Sequence, residues 1–136
     1  MKYLAIDYGY KRTGLAVCDP LEIIVSPLLV IEGQKGLLEK ISNVVKEQNA
    51  EAIVVGLPIN MDDSQGPQAK LTLAFAEQLK KHVSVNIYFQ DERLSSFGAE
   101  EKLAPAELTR GKKRKRLDAV AAAEILNTFL EKKHSS

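Results

Sequence analysis

Two hydrophobic periods alternate along the chain. Residues 3–8 (Tyr-Leu-Ala-Ile-Asp-Tyr) form a short apolar run that ends at an acid, and Gly9 opens a turn with Tyr10, Lys11 and Arg12 at its tip. Residues 13–18 (Thr-Gly-Leu-Ala-Val-Cys) form a second run, Asp19-Pro20 a turn, and residues 23–31 a third run whose Pro27 points to an edge strand or a bulge. Three successive strands with short connections predict an antiparallel meander. The period then lengthens: Leu37, Leu38, Ile41, Val44 and Val45 recur at helical spacing within 35–48. Residues 52–57 (Ala-Ile-Val-Val-Gly-Leu) predict a wholly apolar strand stopped by Pro58, and 59–66 a polar loop. A helix over 67–81 follows, with Leu71, Ala74, Phe75 and Leu79 on its buried stripe. A strand over 84–90 comes next, then a helix capped by Ser95 or Ser96 and running to Leu103. A loop from Pro105 through the basic segment and a helix over 117–132 complete the order βββ-α-β-α-β-α-α. Strands alternating with helices require parallel pairing, and the opening meander requires antiparallel pairing. Both demands are met by an α/β fold with a mixed five-stranded sheet, three strands antiparallel and two further strands parallel, flanked by helices on both faces.

Composition narrows the setting. The 136 residues suit a single domain spanning 1–136, and 45% hydrophobic residues support a packed core. The one cysteine, Cys18, lies in an apolar run and reads as a buried hydrophobe in a reduced compartment. No apolar stretch approaches the roughly 20 residues of a membrane span. Asp7 interrupts the N-terminal run too early for a signal-peptide core, so the cytoplasm is expected. Net charge is +1, yet Arg110, Lys112, Lys113, Arg114, Lys115 and Arg116 crowd one short segment. Such a patch can grip a polyanion in an otherwise neutral protein. Mutual repulsion of these bases predicts a loop, 105–116, without fixed structure until substrate binds.

The acids carry the candidate chemistry. Asp7 ends the first strand, and Asp91-Glu92 ends the last. In open α/β sheets, sites form at the carboxyl ends of parallel strands. Asp118 begins the final helix, with Ala122, Ile125 and Phe129 following on a sheet-facing stripe, where a lone charge is costly. Ala119, Ala121, Ala122 and Ala123 let this helix approach closely. Each acid also has a structural alternative: Asp7 as a turn cap, Glu92 as a partner of Arg93, Asp118 as an acid at a helix start. Three acids reaching one rim from separated segments repel one another and call for a cation. Oxygen-only ligands suit Mg²⁺ or Mn²⁺. A pair of such ions about 4 Å apart would activate water and stabilise the leaving oxygen of a phosphodiester.

Four ordered blocks resemble one family across essentially the whole chain. They are Asp7-Tyr8-Gly9-Tyr10-Lys11-Arg12-Thr13-Gly14-Leu15-Ala16, Gly56-Leu57-Pro58-Ile59-Asn60-Met61-Asp62, Asp91-Glu92-Arg93-Leu94-Ser95-Ser96 and Leu117-Asp118-Ala119-Val120-Ala121-Ala122. The sequence is similar in these blocks to the YqgF family, also called RuvX, whose members are assigned to pre-16S ribosomal RNA maturation and to Holliday junction resolution. The resemblance implies a ribonuclease-H-like fold, with Asp7, Glu92 and Asp118 as catalytic, metal-binding acids and Lys11 and Arg12 as a basic turn. Asp63 departs from the glycine frequent there, which changes loop freedom rather than chemistry.

Other residues support a nucleic-acid partner. Asn60 and Ser64 lie in a loop after a parallel strand, and with Arg93 they are candidates to contact phosphate oxygens, as is the basic run from Arg110 to Arg116. Tyr8 and Tyr10 could stack on bases, Tyr8 more naturally packing inward and Tyr10 standing open at the turn tip. His82 and His134 lack metal-ligand spacing and read as surface residues. The chain is thus expected to be a metal-dependent endonuclease acting on structured RNA, chiefly the pre-16S precursor. The alternatives are a resolvase of branched DNA, which would favour a dimer, and a non-catalytic nucleic-acid-binding regulator. A monomer or weak homodimer is expected. Nucleotide binding of the ATPase type is not expected, because the chain is too short for the two facing domains such a cleft requires.

Overall fold

The computed structural model describes residues 1–59, 65–92 and 110–135, with side chains of the last segment described from Asp118 onward. The elements, in chain order, are β1 (Tyr3–Asp7), β2 (Arg12–Cys18), β3 (Val25–Glu32), α1 (Leu37–Glu47), β4 (Ala52–Leu57), α2 (Pro67–Leu79), β5 (Asn86–Asp91) and α3 (Arg110–Ser135). One five-stranded sheet holds the strands in the order β3-β2-β1-β4-β5. β1–β2 and β2–β3 are antiparallel, and β1–β4 and β4–β5 are parallel, as the two periods require.

Burial explains the strand sequences. β1 and β4 are central and covered on both faces, so both read as nearly continuous apolar runs. Odd and even positions feed separate cores. Leu4, Ile6, Ile53 and Val55 pack under α1 and α2, and Tyr3, Ala5, Ala52 and Val54 pack under α3. The edge strand β3 carries Pro27 beside a bulge in its pairing with β2, where Leu15 meets Leu29 and Ala16 meets Pro27.

Three expectations shift. β3 begins at Val25, two residues late, because the Asp19 carboxylate accepts the backbone N–H groups of Leu21, Ile23 and Ile24 and holds that stretch as a loop. On α2 the buried stripe is Ala69, Thr72, Phe75, Ala76 and Leu79, while Leu71 is 54% exposed and Ala74 is exposed. The stripe uses small residues and a threonine whose hydroxyl donates to Gln68 O at 3.0 Å. Of the expected stripe, Phe75 and Leu79 are therefore buried, and Leu71 and Ala74 are not. Finally, the basic run 110–116 is not a loop: its backbone forms the first turns of α3. Lysine and arginine are good helix formers, and a helix anchored by packed alanines extends at little cost. The helix expected from Ser95 to Leu103 lies outside the described residues.

Candidate active site

Asp7 is the last residue of β1 and falls on the α3 face of the sheet, in phase with Tyr3 and Ala5. Glycine flanks it on both neighbouring strands. Gly14 is its partner on β2, and Gly56 follows directly after the Ile6–Val55 pair on β4. A Cβ on Gly14 would overlap the Asp118 carbonyl and stand 2.9 Å from Ala119 N, so this glycine lets α3 settle its backbone onto β2. A Cβ on Gly56 would overlap Ile125 Cδ1 and stand 2.6 Å from Glu92 Oε2, so this one leaves room for the Glu92 carboxyl. Glu92 follows β5 directly, and its N–H donates to Leu57 O at 3.2 Å. Strand alternation turns Asp91 to the opposite face, which leaves Glu92 as the acid of that pair that meets Asp7.

The environment holds these acids far from their ordinary state. Burial, then the Asp7 charge, the hydrogen bond Glu92 donates to Asp7, and the Asp91 charge push Glu92 up to about 9. Burial and the Asp118 charge push Asp7 up to about 7, against the hydrogen bond from Glu92. At neutral pH the pair therefore keeps a proton between its two carboxyls. Burial also raises Asp118, but Arg12 opposes it: Nε donates to Oδ2 at 2.9 Å, with both side chains 28% exposed. The lone charge expected at the head of the sheet-facing stripe thus has a partner.

The donors are all hard carboxylate oxygens, which suits a divalent cation such as Mg²⁺ or Mn²⁺ and not a soft metal. Among the described residues no three acids, histidines or cysteines already stand close enough to hold one ion together. Asp7 and Glu92 converge, while Asp118 acts on Asp7 through its charge and is tied to Arg12. A cation between Asp7 and Glu92 would replace the shared proton.

The other predicted residues divide. Lys11 is exposed on the β1–β2 turn, and Arg12 beside it is committed to Asp118. Asn60, Ser64 and Arg93 lie outside the described residues. The side chains of Arg110, Lys112, Lys113, Arg114, Lys115 and Arg116 do too, although their backbone leads along α3 to Asp118. Sequence reasoning gave no role to Gly14 and Gly56, although a glycine inside a strand is itself a signal of close approach. It also missed Gln34, whose amide donates to Gly9 O at 3.1 Å and Tyr10 O at 2.7 Å and accepts from the Tyr8 hydroxyl at 2.9 Å. No local pattern announces a contact spanning that much chain.

The family model described as "RuvX: Holliday junction resolvase" matches residues 1–132. A relative from Anaeromyxobacter sp. (strain Fw109-5), named "Putative pre-16S rRNA nuclease", is 39% identical over 99% of this chain and 100% of its own. A relative of the same name from Geobacillus kaustophilus (strain HTA426) is 36% identical over 98% of this chain and 99% of its own. Among solved structures, Thermus thermophilus RuvC in complex with a Holliday junction substrate superposes with a TM-score of 0.60 at 15% identity, covering 100% of this chain and 98% of that one. At that identity the likeness speaks to the fold, which is ribonuclease-H-like. Sequence blocks, sheet order and full-length similarity agree: the chain belongs to the RuvX family.

Proposed function

We propose that the protein is a metal-dependent endonuclease that hydrolyses phosphodiester bonds of nucleic acid in the cytoplasm, and that its substrate is the pre-16S ribosomal RNA. The observation that carries this reading is the buried Asp7–Glu92 carboxyl pair on one rim, with Asp118 brought beside it by a helix seated on Gly14. Buried acids with strongly raised pKa values are costly to the fold and cluster at functional sites.

Asp7 and Glu92 would hold Mg²⁺ or Mn²⁺, with Asp118 completing the set. When bound, the cation supplies a water activated for attack and charge stabilisation of the leaving oxygen. This chain's residues do the rest. Arg12 orients Asp118 and makes its charge cheaper to keep. Lys11, Asn60, Ser64, Arg93 and the bases from Arg110 to Arg116 hold phosphates of the strand. Helix α3 carries those bases and Asp118 on one element, so gripping the strand and presenting it to the acids are coupled. The protein acts as a monomer or weak homodimer.

A second reading, resolution of branched DNA, is favoured by the family description itself. Parallel digests decide: a pre-16S fragment and a four-way DNA junction, each with Mg²⁺, Mn²⁺ or excess chelator, wild type beside Asp7→Asn. Cleavage of the RNA alone supports the first reading, and paired symmetric cuts in the junction support the second. Equal cutting in chelator would sink the metal mechanism.

A further inference from the structure

The β1–β2 turn is held more firmly than its length requires. Gly9 O accepts from Gln34 Nε2 at 3.1 Å and from the Thr13 hydroxyl at 3.3 Å. Tyr10 O accepts from Gln34 Nε2 at 2.7 Å, and Lys11 O from Gly33 N at 2.8 Å. A Cβ on Gly9 would overlap the Arg12 carbonyl, so the turn is as tight as glycine allows. Every carbonyl from Gly9 to Lys11 is thus fixed, mostly by the segment that joins β3 to α1. Two tyrosines leave this turn with opposite fates. Tyr8 stacks on Phe75, with ring centroids 4.2 Å apart and planes 13° apart, and its hydroxyl donates to Gln34. Tyr10 is 76% exposed, and its ring and hydroxyl meet no partner among the described residues.

An aromatic ring on a clamped backbone, next to Lys11, with no role in the core, is a preformed stacking surface. Its distance from the acids is bounded by the chain: Tyr10 is three residues past Asp7, so their Cα atoms are at most about 11 Å apart. The Tyr10 ring therefore stands on the turn that leaves the acid-bearing strand, within a few nucleotides' reach of a phosphate at Asp7.

We propose that Tyr10 is a stacking platform for an unpaired base of the substrate strand, which sets the cleavage register by gripping a nucleotide near the phosphate held at Asp7. The proposal rests on the nuclease reading and deepens it: the substrate is a strand with an unstacked base beside the cut, as in a single-stranded precursor end or a branch point, and not a continuous duplex. Stacking on an aromatic side chain is tolerant of base identity and needs an exposed π-face.

The chain contains no tryptophan, so Tyr10→Trp installs a single emitting indole at the platform. Binding is measured by anisotropy of labelled strands, with Ca²⁺ supplied in place of Mg²⁺ to keep them intact, and the indole emission is read in parallel. RNA and DNA strands are compared, each with single abasic positions scanned along it. The expected result is quenching on binding of an unpaired strand, lost when one particular position is abasic and absent with a blunt duplex. Tyr10→Ala should bind the unpaired strand roughly tenfold more weakly, the factor for one lost stacked base, with an unchanged unfolding midpoint, and Tyr10→Phe should restore the affinity. Binding without quenching, or equal quenching by a fully abasic strand or a blunt duplex, overturns the platform and leaves the nuclease reading standing. No binding of any strand overturns both.

Discussion

Two carboxyl sites occupy opposite ends of the sheet, joined by α3, and their environments are opposite. At the β2–β3 loop, Glu22 meets Lys133 Nζ at 2.7 Å, the Met1 ammonium at 3.0 Å and His134 Nε2 at 3.1 Å. Those partners, Lys133 foremost, pull its pKa down to about 2. Lys133 also sits over the Tyr3 ring, 5.0 Å from its centroid, so the cluster locks the end of α3 to β1. At the far rim Asp7 and Glu92 are buried against each other, and both are pushed up. The contrast separates two uses of one functional group. A carboxylate surrounded by cations holds elements together. Carboxyls buried together without cations weaken the fold once they ionise, a cost characteristic of functional sites.

The largest effect should come from the costly end. Asp7→Asn keeps the shape and removes one negative charge, and cleavage should fall by at least about a hundredfold, the scale of a lost charge-stabilising group. Single-turnover rates check this, and strand affinity should persist because it rests on the bases. A variant that cuts normally would make Asp7 a turn cap. Gly56→Ala should do comparable damage by another route. The added Cβ displaces Glu92 and Ile125, so both activity and about 1–3 kcal/mol of stability should be lost in urea titrations. A neutral outcome would mean that the Glu92 carboxyl has room to spare.

The slope with pH should differ between the ends. Asp7 and Glu92, at about 7 and 9 in the fold against 3.8 and 4.5 ordinarily, hold protons in the folded chain that the unfolded chain has released. Their favourable contribution is complete below about 4 and is lost as pH rises through 7 to 9, so the metal-free protein weakens on that side. Glu92→Gln keeps a neutral donor to Asp7. In chelator it should match wild type near pH 4 and become increasingly more stable than it as pH rises toward 9. Parallel stability curves would contradict the buried pair. Glu22 has the opposite sign: its contribution is present above its ordinary 4.5 and is lost as pH falls through about 2. Glu22→Gln, the smallest effect, should cost about 1 kcal/mol or less at pH 7, because its partners are exposed, and progressively less as pH falls through about 2. A cost that does not shrink with falling pH would show that packing, not charge, holds that loop.

What the sequence disclosed follows the same division. The sheet was legible because β1 and β4 are buried on both faces and show it as unbroken apolar runs, and because Pro27 marks an edge. The placement of the acids was legible because Asp7 ends β1 and Glu92 directly follows β5. The phase of α2 was half legible: Phe75 and Leu79 marked it, but Ala69, Thr72 and Ala76 carry no hydrophobic signal strong enough to outvote Leu71. The helical state of 110–116 was hidden by charge repulsion, which argues for a loop, while backbone propensity argues for a helix. Long-range contacts left no trace: neither the Arg12–Asp118 pair nor the clamp by Gln34 follows from local pattern, because each joins segments that only the folded sheet brings together.

The most direct test of a cation held by the buried carboxyls is the count of protons released when it binds. Mn²⁺ titrated into the protein at pH 7, by calorimetry in buffers of different ionisation enthalpy, should release about one proton or more per ion. Burial and mutual repulsion raise both Asp7 and Glu92, so the metal-free pair holds a proton at that pH that it must give up to ligate. The combined Asp7→Asn and Glu92→Gln variant should bind weakly and release none. Binding with no proton release in wild type, or with equal affinity in that variant, would place the metal elsewhere.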